Sequence, residues 1–397
     1  MRDFSGVLPN DLPDAQIERV DGAIMRPPRE GDMGGLHQVC GVFRPDGTLV
    51  DLSKTLSIGG YLSPPPPIPE MPSVRRDGAW VFGGQLYHHF GHGLIYSASR
   101  LWAIRRLLQD GVPLKGILFH ERHSTEPKGD MALPRNLRQI LDVFQPGIPV
   151  ATTGTTERVE TLYVPQQGMS THPSLFLGLD EQRRFMRDNA ARIEPNAAQR
   201  DIYISRTRIG WKGNHLFESE IERALALAGY HVFHPQQASL ADQIATYRSA
   251  RRLIAVDGSA LHVAATAIPA SARVAIISRR EFYAWALADQ LRAFSGCDAR
   301  VIEAHRDMYV ASRGLGRKSS WFGAQVTTDF AILGTELVRH GFLETVPDWQ
   351  VPTEVDLSAR LAAAKAKLGD DLVMVPEALR PKEPFYKAHQ KAVPPLL

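Results

Sequence analysis

Short apolar runs alternate with amphipathic stretches in the first half of the chain. The runs at residues 79–82, 116–120 and 161–164 are mostly apolar and have the length of buried strands. Between them, residues 87–108 and 137–144 carry apolar side chains at three- and four-residue spacing, which predicts helices. Alternation of strand and helix favours a parallel sheet with helices on its faces.

The same alternation returns in the second half, after a charged helix predicted at residues 180–193. A strand is predicted to begin at Ile202. Further strands are predicted at residues 231–234, 253–256, 273–277 and 300–303, and helices at residues 218–228, 240–247, 282–294, 326–339 and 356–367.

Two α/β blocks in 397 residues predict two domains, because one hydrophobic core rarely organises a chain of this length. We place an N-terminal α/β domain at residues 1–175, a linker helix at 176–198 and a second domain at 199–320. The helices in residues 321–397 are expected to pack back on the N-terminal domain, with a loosely ordered tail. Residues 1–75 are expected to be largely irregular.

Composition and charge restrict the classes of function. Apolar residues make up 44% of the chain and charged residues 22%, which are the proportions of an ordinary soluble globular protein. The formal charge is only +3 and the arginines are scattered, so nucleic acid is not an expected partner. A mildly basic charge is compatible with peripheral contact to an anionic membrane.

The cysteines and the N-terminus indicate the compartment. Cys40 and Cys297 are far apart, which argues against a disulfide scaffold or a thiolate metal site and fits a reducing compartment. The first residues lack the pattern of a signal peptide, and no window approaches the roughly 20 apolar residues that span a bilayer. We therefore expect a cytoplasmic protein, with peripheral association at the inner membrane as an option.

Polar residues that suit an anion follow two of the strands in the second half. Residues 205–208 read Ser-Arg-Thr-Arg, and residues 257–262 read Asp-Gly-Ser-Ala-Leu-His. Loops that leave the carboxyl ends of parallel strands converge on one crevice, where arginine forks and the N–H groups of a helix start bind phosphate. The candidate binding residues are Ser205, Arg206, Arg208, Asp257, Gly258, Ser259 and His262.

Two alternatives stay open for these loops. The first loop can be a solvated basic turn, and the second an ordinary strand–helix turn with His262 buried in a satisfied hydrogen bond. A hydrolase nucleophile elbow is not expected, because Leu261 stands where G-x-S-x-G needs its second glycine.

A histidine cluster follows the predicted strand at residues 79–82. The helical repeat places His88 and His92 on one face, with His89 within about 60° of His92. Histidine is the commonest general base, which makes His92 and His89 candidate catalytic residues. A structural role at a helix start is one alternative. A zinc site is another, although no carboxylate or thiolate completes a third ligand.

Taken together, these segments resemble glycosyltransferase family 61 (DUF563-like), of the bacterial capsular or surface polysaccharide type. The upstream part of the resemblance is residues 89–94 with residues 100–102, and it extends over about residues 80–280. The chain departs from the family in two places. Residues 257–263 read Asp-Gly-Ser-Ala-Leu-His-Val where many members have His-Gly-Ser-Gly-Leu-Thr-Asn, and Phe217 stands where an asparagine is frequent. The downstream matches are Tyr203–Ile204–Ser205–Arg206, Glu218, Glu220, Pro235, Leu240, Gln243, Ser249–Ala250 and residues 258–261.

The resemblance implies a GT-B-like α/β fold, with two Rossmann-like domains facing a central cleft. It implies an inverting, metal-independent transfer of a sugar from a nucleotide-sugar donor to a glycan or glycolipid acceptor in surface polysaccharide synthesis. The first domain would then be the acceptor side and residues 199–320 the donor side, with no cofactor besides the donor substrate. The oligomeric state is left open.

The resemblance also suggests roles for the candidate residues. Arg206, Arg208 and the helix start at Gly258 would stabilise the leaving diphosphate. The base would be His92 or else His89, with Asp257 and His262 as alternatives in the second domain. Two other functions stay open at this point: a non-catalytic nucleotide- or glycan-binding protein, and a metal-dependent hydrolase built on the histidine cluster.

Overall fold

The structure is a computed structural model with two compact units, Met1–Asn189 and Ala190–Leu397. The division lies within residues 176–198, the segment predicted as a linker helix. The residues that the structure describes are 15–29, 33–34, 37–57, 60–63, 67, 72, 74–87, 89–121, 135–144, 147–196, 200–209, 213–279, 283–315 and 323–380.

The first unit is built on a six-stranded mixed sheet, ordered β4-β1-β10-β7-β8-β9. Strands β10, β7, β8 and β9 run parallel, while β1 is antiparallel to β10 and β4. The strands of the unit are β1 (Ile17–Arg26), β2 (Met33–Gly34), β3 (His37–Gln38), β4 (Gly41–Phe43), β5 (Leu56–Ser57), β6 (Gly60–Tyr61), β7 (Val74–Gln85), β8 (Leu114–His120), β9 (Val150–Thr153) and β10 (Glu157–Pro165).

Strand β1 corrects the expectation that residues 1–75 are largely irregular. It is ten residues long and buries Val20, Ala23 and Met25 in the core of the first unit. Charged residues and Gly22, which has a φ of 67°, interrupt its apolar pattern and conceal it in the sequence. Pairing with β10 along most of its length outweighs this weak local preference.

The single helix predicted over residues 87–108 is interrupted in the structure. It consists of α1 (Phe90–His92), a π-helical turn (Gly93–Ser97) and α2 (Trp102–Gln109). The guanidinium of Arg100, in the break, is fully buried and donates to the carbonyl oxygens of Pro165 at 3.1 Å, Leu52 at 3.0 Å and Lys54 at 2.7 Å. A buried cation needs such acceptors, and the break provides access to them. The remaining helices of the unit are α3 (Arg135–Phe144) and α4 (Asp180–Ala190).

The second unit has a five-stranded parallel sheet, ordered β12-β11-β13-β14-β15, and a separate antiparallel sheet, ordered β17-β16-β18. The α/β class expected from the sequence is therefore confirmed. The strands are β11 (Asp201–Ile204), β12 (His231–Phe233), β13 (Arg252–Val256), β14 (Arg273–Ile277), β15 (Asp298–Ile302), β16 (His305–Ala311), β17 (Gln325–Thr328) and β18 (Leu372–Met374); the helices are α5 (Glu218–Leu227), α6 (Leu240–Arg248), α7 (Ala260–Ala267), α8 (Tyr283–Ser295), α9 (Phe330–Arg339) and α10 (Glu354–Leu368).

The order of the parallel sheet locates a switch point. Counted along the unit the strands lie in the order 2-1-3-4-5, so the direction of winding reverses between β11 and β13. Ligands of open α/β sheets bind outside the carboxyl ends of the strands at such a point. The two loops with candidate residues both leave the sheet there.

Helix α9 differs from its prediction at its start. Residues 326–328, expected as its first turn, belong to β17, and the helix starts after Asp329, whose Oδ1 accepts from the Ile332 N–H at 3.0 Å. Phe330, Leu333 and Leu337 of α9 lie in the core of the second unit, and the packing of residues 321–397 on the N-terminal domain stays a prediction. The helical spacing of these three residues forms an apolar stripe that covers one face of the parallel sheet. The predicted loose tail falls largely on residues 381–397, outside the described residues.

The segment between β11 and α5 is attached to the antiparallel sheet. His215 forms a bridge with Val326 of β17, the Leu216 N–H donates to the Val326 carbonyl at 2.8 Å, and the Val326 N–H donates to the Asn214 carbonyl at 2.9 Å. From α10, Nε of Arg360 donates to the Leu216 carbonyl at 3.0 Å. Elements late in the chain therefore hold the segment that follows Arg206.

Candidate functional site

The second unit places the two candidate loops side by side. Strands β11 and β13 are adjacent and parallel, with Ile204 paired to Ala255. Residues 205–209 leave the carboxyl end of β11, and residues 257–259 leave the carboxyl end of β13 and lead into α7. Both loops therefore lie at the switch point of the sheet.

Arg206 and Gly258 are in contact at this point. A Cβ atom at position 258 would lie only 2.5 Å from Nη1 of Arg206, so any larger residue would displace the guanidinium. On its other side, Nη2 of Arg206 donates to the carbonyl of Gly213 at 3.1 Å. The guanidinium is therefore held against the chain where α7 begins.

The start of α7 adds hydrogen-bond donors beside this guanidinium. Ser259 is the residue before the helix; its side chain is partly exposed and caps no backbone group. The first intrahelical bonds of the turn are donated by the N–H groups of Leu261 and His262. The earlier N–H groups of a helix have no intrahelical acceptor and carry partial positive charge. With Arg206, they form a site that suits an anion.

Asp257 forms a buried ion pair with Arg279, in the loop after β14. Its Oδ1 accepts from Nε and Nη2 of Arg279, each at 2.9 Å, and its Oδ2 accepts from the Arg279 N–H at 3.0 Å. The carboxylate is 0% exposed and the arginine 3%. Asp257 thus ties the β13 and β14 loops together rather than pointing into solvent.

His262 lies in the interior of the second unit. Its Nδ1 is bonded to Oε1 of Gln290, and its Nε2 lies 3.0 Å from the hydroxyl of Tyr283. Burial lowers the pKa of His262 to about 4, so the ring is neutral near pH 7. His262 is therefore a buried histidine with both ring nitrogens in hydrogen bonds, which matches the second alternative for this loop, an ordinary strand–helix turn.

The other predicted residues of the first loop, Ser205 and Arg208, form hydrogen bonds away from Gly258. The hydroxyl of Ser205 donates to Oε2 of Glu222 at 2.6 Å, and that of Thr207 donates to the same oxygen at 2.7 Å. Arg208 is exposed, and its Nη1 donates to Oε1 of Gln237 at 2.8 Å. Of the candidate residues in this unit, the structure brings Arg206, Gly258 and Ser259 together.

Three residues near the site were not predicted as part of it. Glu218, at the start of α5, accepts the N–H of Arg206 at 2.6 Å. Arg279 is the partner of Asp257. His215 is buried, with Nδ1 2.7 Å from the Thr328 hydroxyl, and burial lowers its pKa to about 3. A short apolar strand before Arg279 was the only sequence signal for that loop; Glu218 was visible only as a family match.

The histidine cluster of the first unit is also compact. His89 is exposed at the start of α1, and its ring centroid lies 4.8 Å from that of half-buried His92. The His92 ring lies 5.9 Å from Tyr87 and 5.5 Å from Tyr96. The structure therefore brings together the two predicted catalytic histidines, while His88 is outside the described residues.

The Tyr96 side chain anchors the inner side of this cluster. Its hydroxyl lies 2.9 Å from Oγ of Ser57 and 2.6 Å from Oγ1 of Thr171. Burial raises the pKa of Tyr96, so the hydroxyl stays protonated at neutral pH. The exposed edge of the cluster therefore consists of His89 and His92.

Two further features concern metals and membranes. Over the described ranges, no group of three or more His, Cys, Asp or Glu side chains is arranged to hold a metal ion. Within the same part of the chain, no helix combines the length and the apolar character that crossing a bilayer requires.

Comparison with known proteins identifies the middle of the chain. Residues 87–274 match the family model described as Glycosyltransferase 61, which confirms the family expected from the sequence. No curated protein matches the chain. Among solved structures, the dodecameric iron-containing heptosyltransferase TibC in complex with ADP-D-beta-D-heptose is 11% identical, with a TM-score of 0.25 over 68% of this chain and 80% of that chain.

Proposed function

Because residues 87–274 belong to glycosyltransferase family 61 and the protein is therefore a glycosyltransferase, we propose that its second unit binds a nucleotide-sugar donor at Arg206, Gly258 and Ser259. The observation that carries this proposal is the contact between the Arg206 guanidinium and Gly258 at the switch point of the parallel sheet. A diphosphate offers oxygens to a planar guanidinium and to helix N–H groups at the same time.

The charges around the site favour a diphosphate. Asp257 and Arg279 neutralise each other within the core, so neither adds net charge to the loop. Arg206 then supplies the positive charge next to the α7 start. In a transfer without a metal, such fixed charges and dipoles stabilise the leaving diphosphate as negative charge develops on it.

The proposed transfer proceeds with inversion in one displacement. The acceptor hydroxyl oxygen forms a bond to the anomeric carbon while the bond from that carbon to the diphosphate oxygen breaks. The hydroxyl proton passes to His92, with His89 as the second candidate base. The transition state has oxocarbenium character, as in glycoside hydrolysis. Asp257 and His262, the other bases considered, are less suitable because both are buried and already bonded.

The wider setting forms part of the same proposal. The acceptor is a glycan or glycolipid, and the product contributes to a surface polysaccharide. The fold is of the GT-B type, with the first unit on the acceptor side. The reaction takes place in the cytoplasm, with peripheral association at the inner membrane.

Isothermal titration of the protein with uridine, cytidine and guanosine diphosphates tests the donor site. We expect at least one to bind, and Arg206→Ala to weaken it roughly 10- to 100-fold, as expected for losing a charged hydrogen bond. Arg339→Ala is the matched control, because Arg339 is an exposed arginine at the end of α9, paired with Glu336. Equal binding by Arg206→Ala and wild type would refute the site, and binding of no nucleotide would refute the donor class.

A further inference from the structure

The strongest feature that the donor site leaves unexplained is the buried carboxylate of Glu218. This side chain is 2% exposed, at the first position of α5. Its Oε1 accepts two hydrogen bonds, from the hydroxyl of Tyr203 at 2.9 Å and from the backbone N–H of Arg206 at 2.6 Å. One oxygen therefore connects the end of β11, the start of α5 and the loop that carries Arg206.

The bond to the Arg206 N–H fixes the backbone from which the guanidinium extends. Residues 205–209 leave the sheet without regular structure, so the direction of the Arg206 side chain depends on how its backbone is anchored. Glu218 anchors the backbone N–H, and the Gly213 carbonyl holds the far end of the side chain. With both ends held, the guanidinium meets Gly258.

The second oxygen of Glu218 is not used in this way. In the described part of the chain, Oε2 is buried without a hydrogen-bond partner, and so is Oδ1 of Asn214. The Asn214 side chain lies within reach of the Glu218 carboxyl. Burial raises the pKa of Glu218, against the lowering effect of the bonds from Arg206 and Tyr203. The carboxyl group therefore acts on the Arg206 loop through one acceptor atom, Oε1.

We propose that Glu218 is a positioning residue for the donor site, which holds Arg206 in the orientation that binds the donor diphosphate by accepting its backbone N–H. Glu218 touches no substrate itself. The inference rests on the proposed donor site. The affinity of that site then depends on the Glu218 carboxyl group through a single acceptor atom, Oε1.

Four variants at one helix turn test this role by titration with the nucleoside diphosphate that wild type binds best. Glu218→Ala removes the acceptor, and Glu218→Asp withdraws it by one C–C bond length; each should weaken binding roughly tenfold or more. Glu218→Gln keeps a carbonyl acceptor, and its amide can donate to Asn214. We expect it to recover binding to within about threefold of wild type.

Glu220→Ala is the matched control. Glu220 lies in the same turn of α5 and is 8% exposed, but its carboxylate accepts from Arg223 and from the Gln350 N–H instead. We expect it to lower thermal stability and leave nucleotide affinity unchanged. If Glu218 had a purely structural role, Glu218→Ala and Glu220→Ala would change nucleotide affinity equally. Glu218→Gln would then bind the nucleotide no better than Glu218→Ala.

The outcomes separate this inference from the proposed function. Wild-type affinity in Glu218→Ala or Glu218→Asp overturns the positioning role, and so does an equal loss in Glu220→Ala. If Glu218→Ala does not fold, Glu218→Asp decides. If Arg206→Ala loses affinity while the Glu218 variants keep it, the donor site stands and only the positioning role fails. If wild type binds no nucleotide, both fail.

Discussion

The buried ion pair between Asp257 and Arg279 allows a quantitative test of how the second unit is held together beneath the loops that follow β11 and β13. The perturbation is Asp257→Asn, which keeps the shape of the side chain and removes its charge. Three contacts of 2.9 to 3.0 Å join the two residues, and both are almost fully buried. The variant leaves a buried guanidinium without its counter-charge, which costs about 3–5 kcal/mol of unfolding free energy.

Urea unfolding at pH 7 measures this loss directly, and thermal unfolding should show a decrease in Tm of roughly 10 °C for a unit of this size. Asp298→Asn is the matched control, because Asp298 pairs with Arg300 on β15 in an exposed setting with side chains 43% and 49% exposed. Such a pair contributes about 0–1 kcal/mol. Replacing Asp257 and Arg279 together by apolar residues should restore much of the loss, because the unpaired charge is then gone.

The prediction is refuted if Asp257→Asn and Asp298→Asn lose the same free energy of unfolding, since burial would then have no effect on the pair. It also fails if the double variant is less stable than Asp257→Asn alone. Either result would mean that the loops after β13 and β14 are held by other contacts.

Two further predictions concern the histidines. His92→Ala should lower turnover by roughly 100-fold or more with little change in nucleotide affinity, as expected for loss of a general base, and His89→Ala should have the smaller effect; unchanged turnover in both would exclude the cluster from catalysis. Folding lowers the pKa of His262 from 6.5 to about 4, so the unfolded chain binds this proton first as the pH falls. Its contribution to stability is complete above pH 6.5 and lost between pH 6.5 and 4, and amounts to about 3 kcal/mol. Urea unfolding of His262→Gln over this range should therefore show a slope shallower by about 1.4 kcal/mol per pH unit near pH 5 than wild type, and equal slopes would contradict it.

The sequence predicted those parts of the fold that depend on short-range patterns of apolar and polar residues. The apolar runs and helical spacing located most strands and helices, and the polar loops after β11 and β13 marked the switch point. The order of motifs was enough to name the family. These features depend on residues that are close together in the chain, so periodicity and spacing can reveal them.

The contacts that decide individual roles were not visible in this way. Asp257 pairs with a residue 22 positions away, and His262 bonds to one 28 positions away. No short-range pattern encodes such partners, so Asp257 and His262 could only be grouped with the other polar residues of their loop. The interruption before α2 depends on three carbonyl acceptors for Arg100, which come from two distant segments. Strand β1 likewise owes its form to pairing with β10 rather than to its own sequence.

The pairing of the segment at residues 214–216 with β17 has a consequence for engineering the proposed donor site. The region that matches the family ends at residue 274, inside β14, while the strand that supports the Arg206 segment lies at residues 325–328. A fragment that ends at residue 274 would therefore cut through β14. It would also lack β17, which supports the segment that follows Arg206. For the same reason, a chimera that exchanges residues 205–217 with a relative must exchange β17 with them, because the two segments share backbone hydrogen bonds.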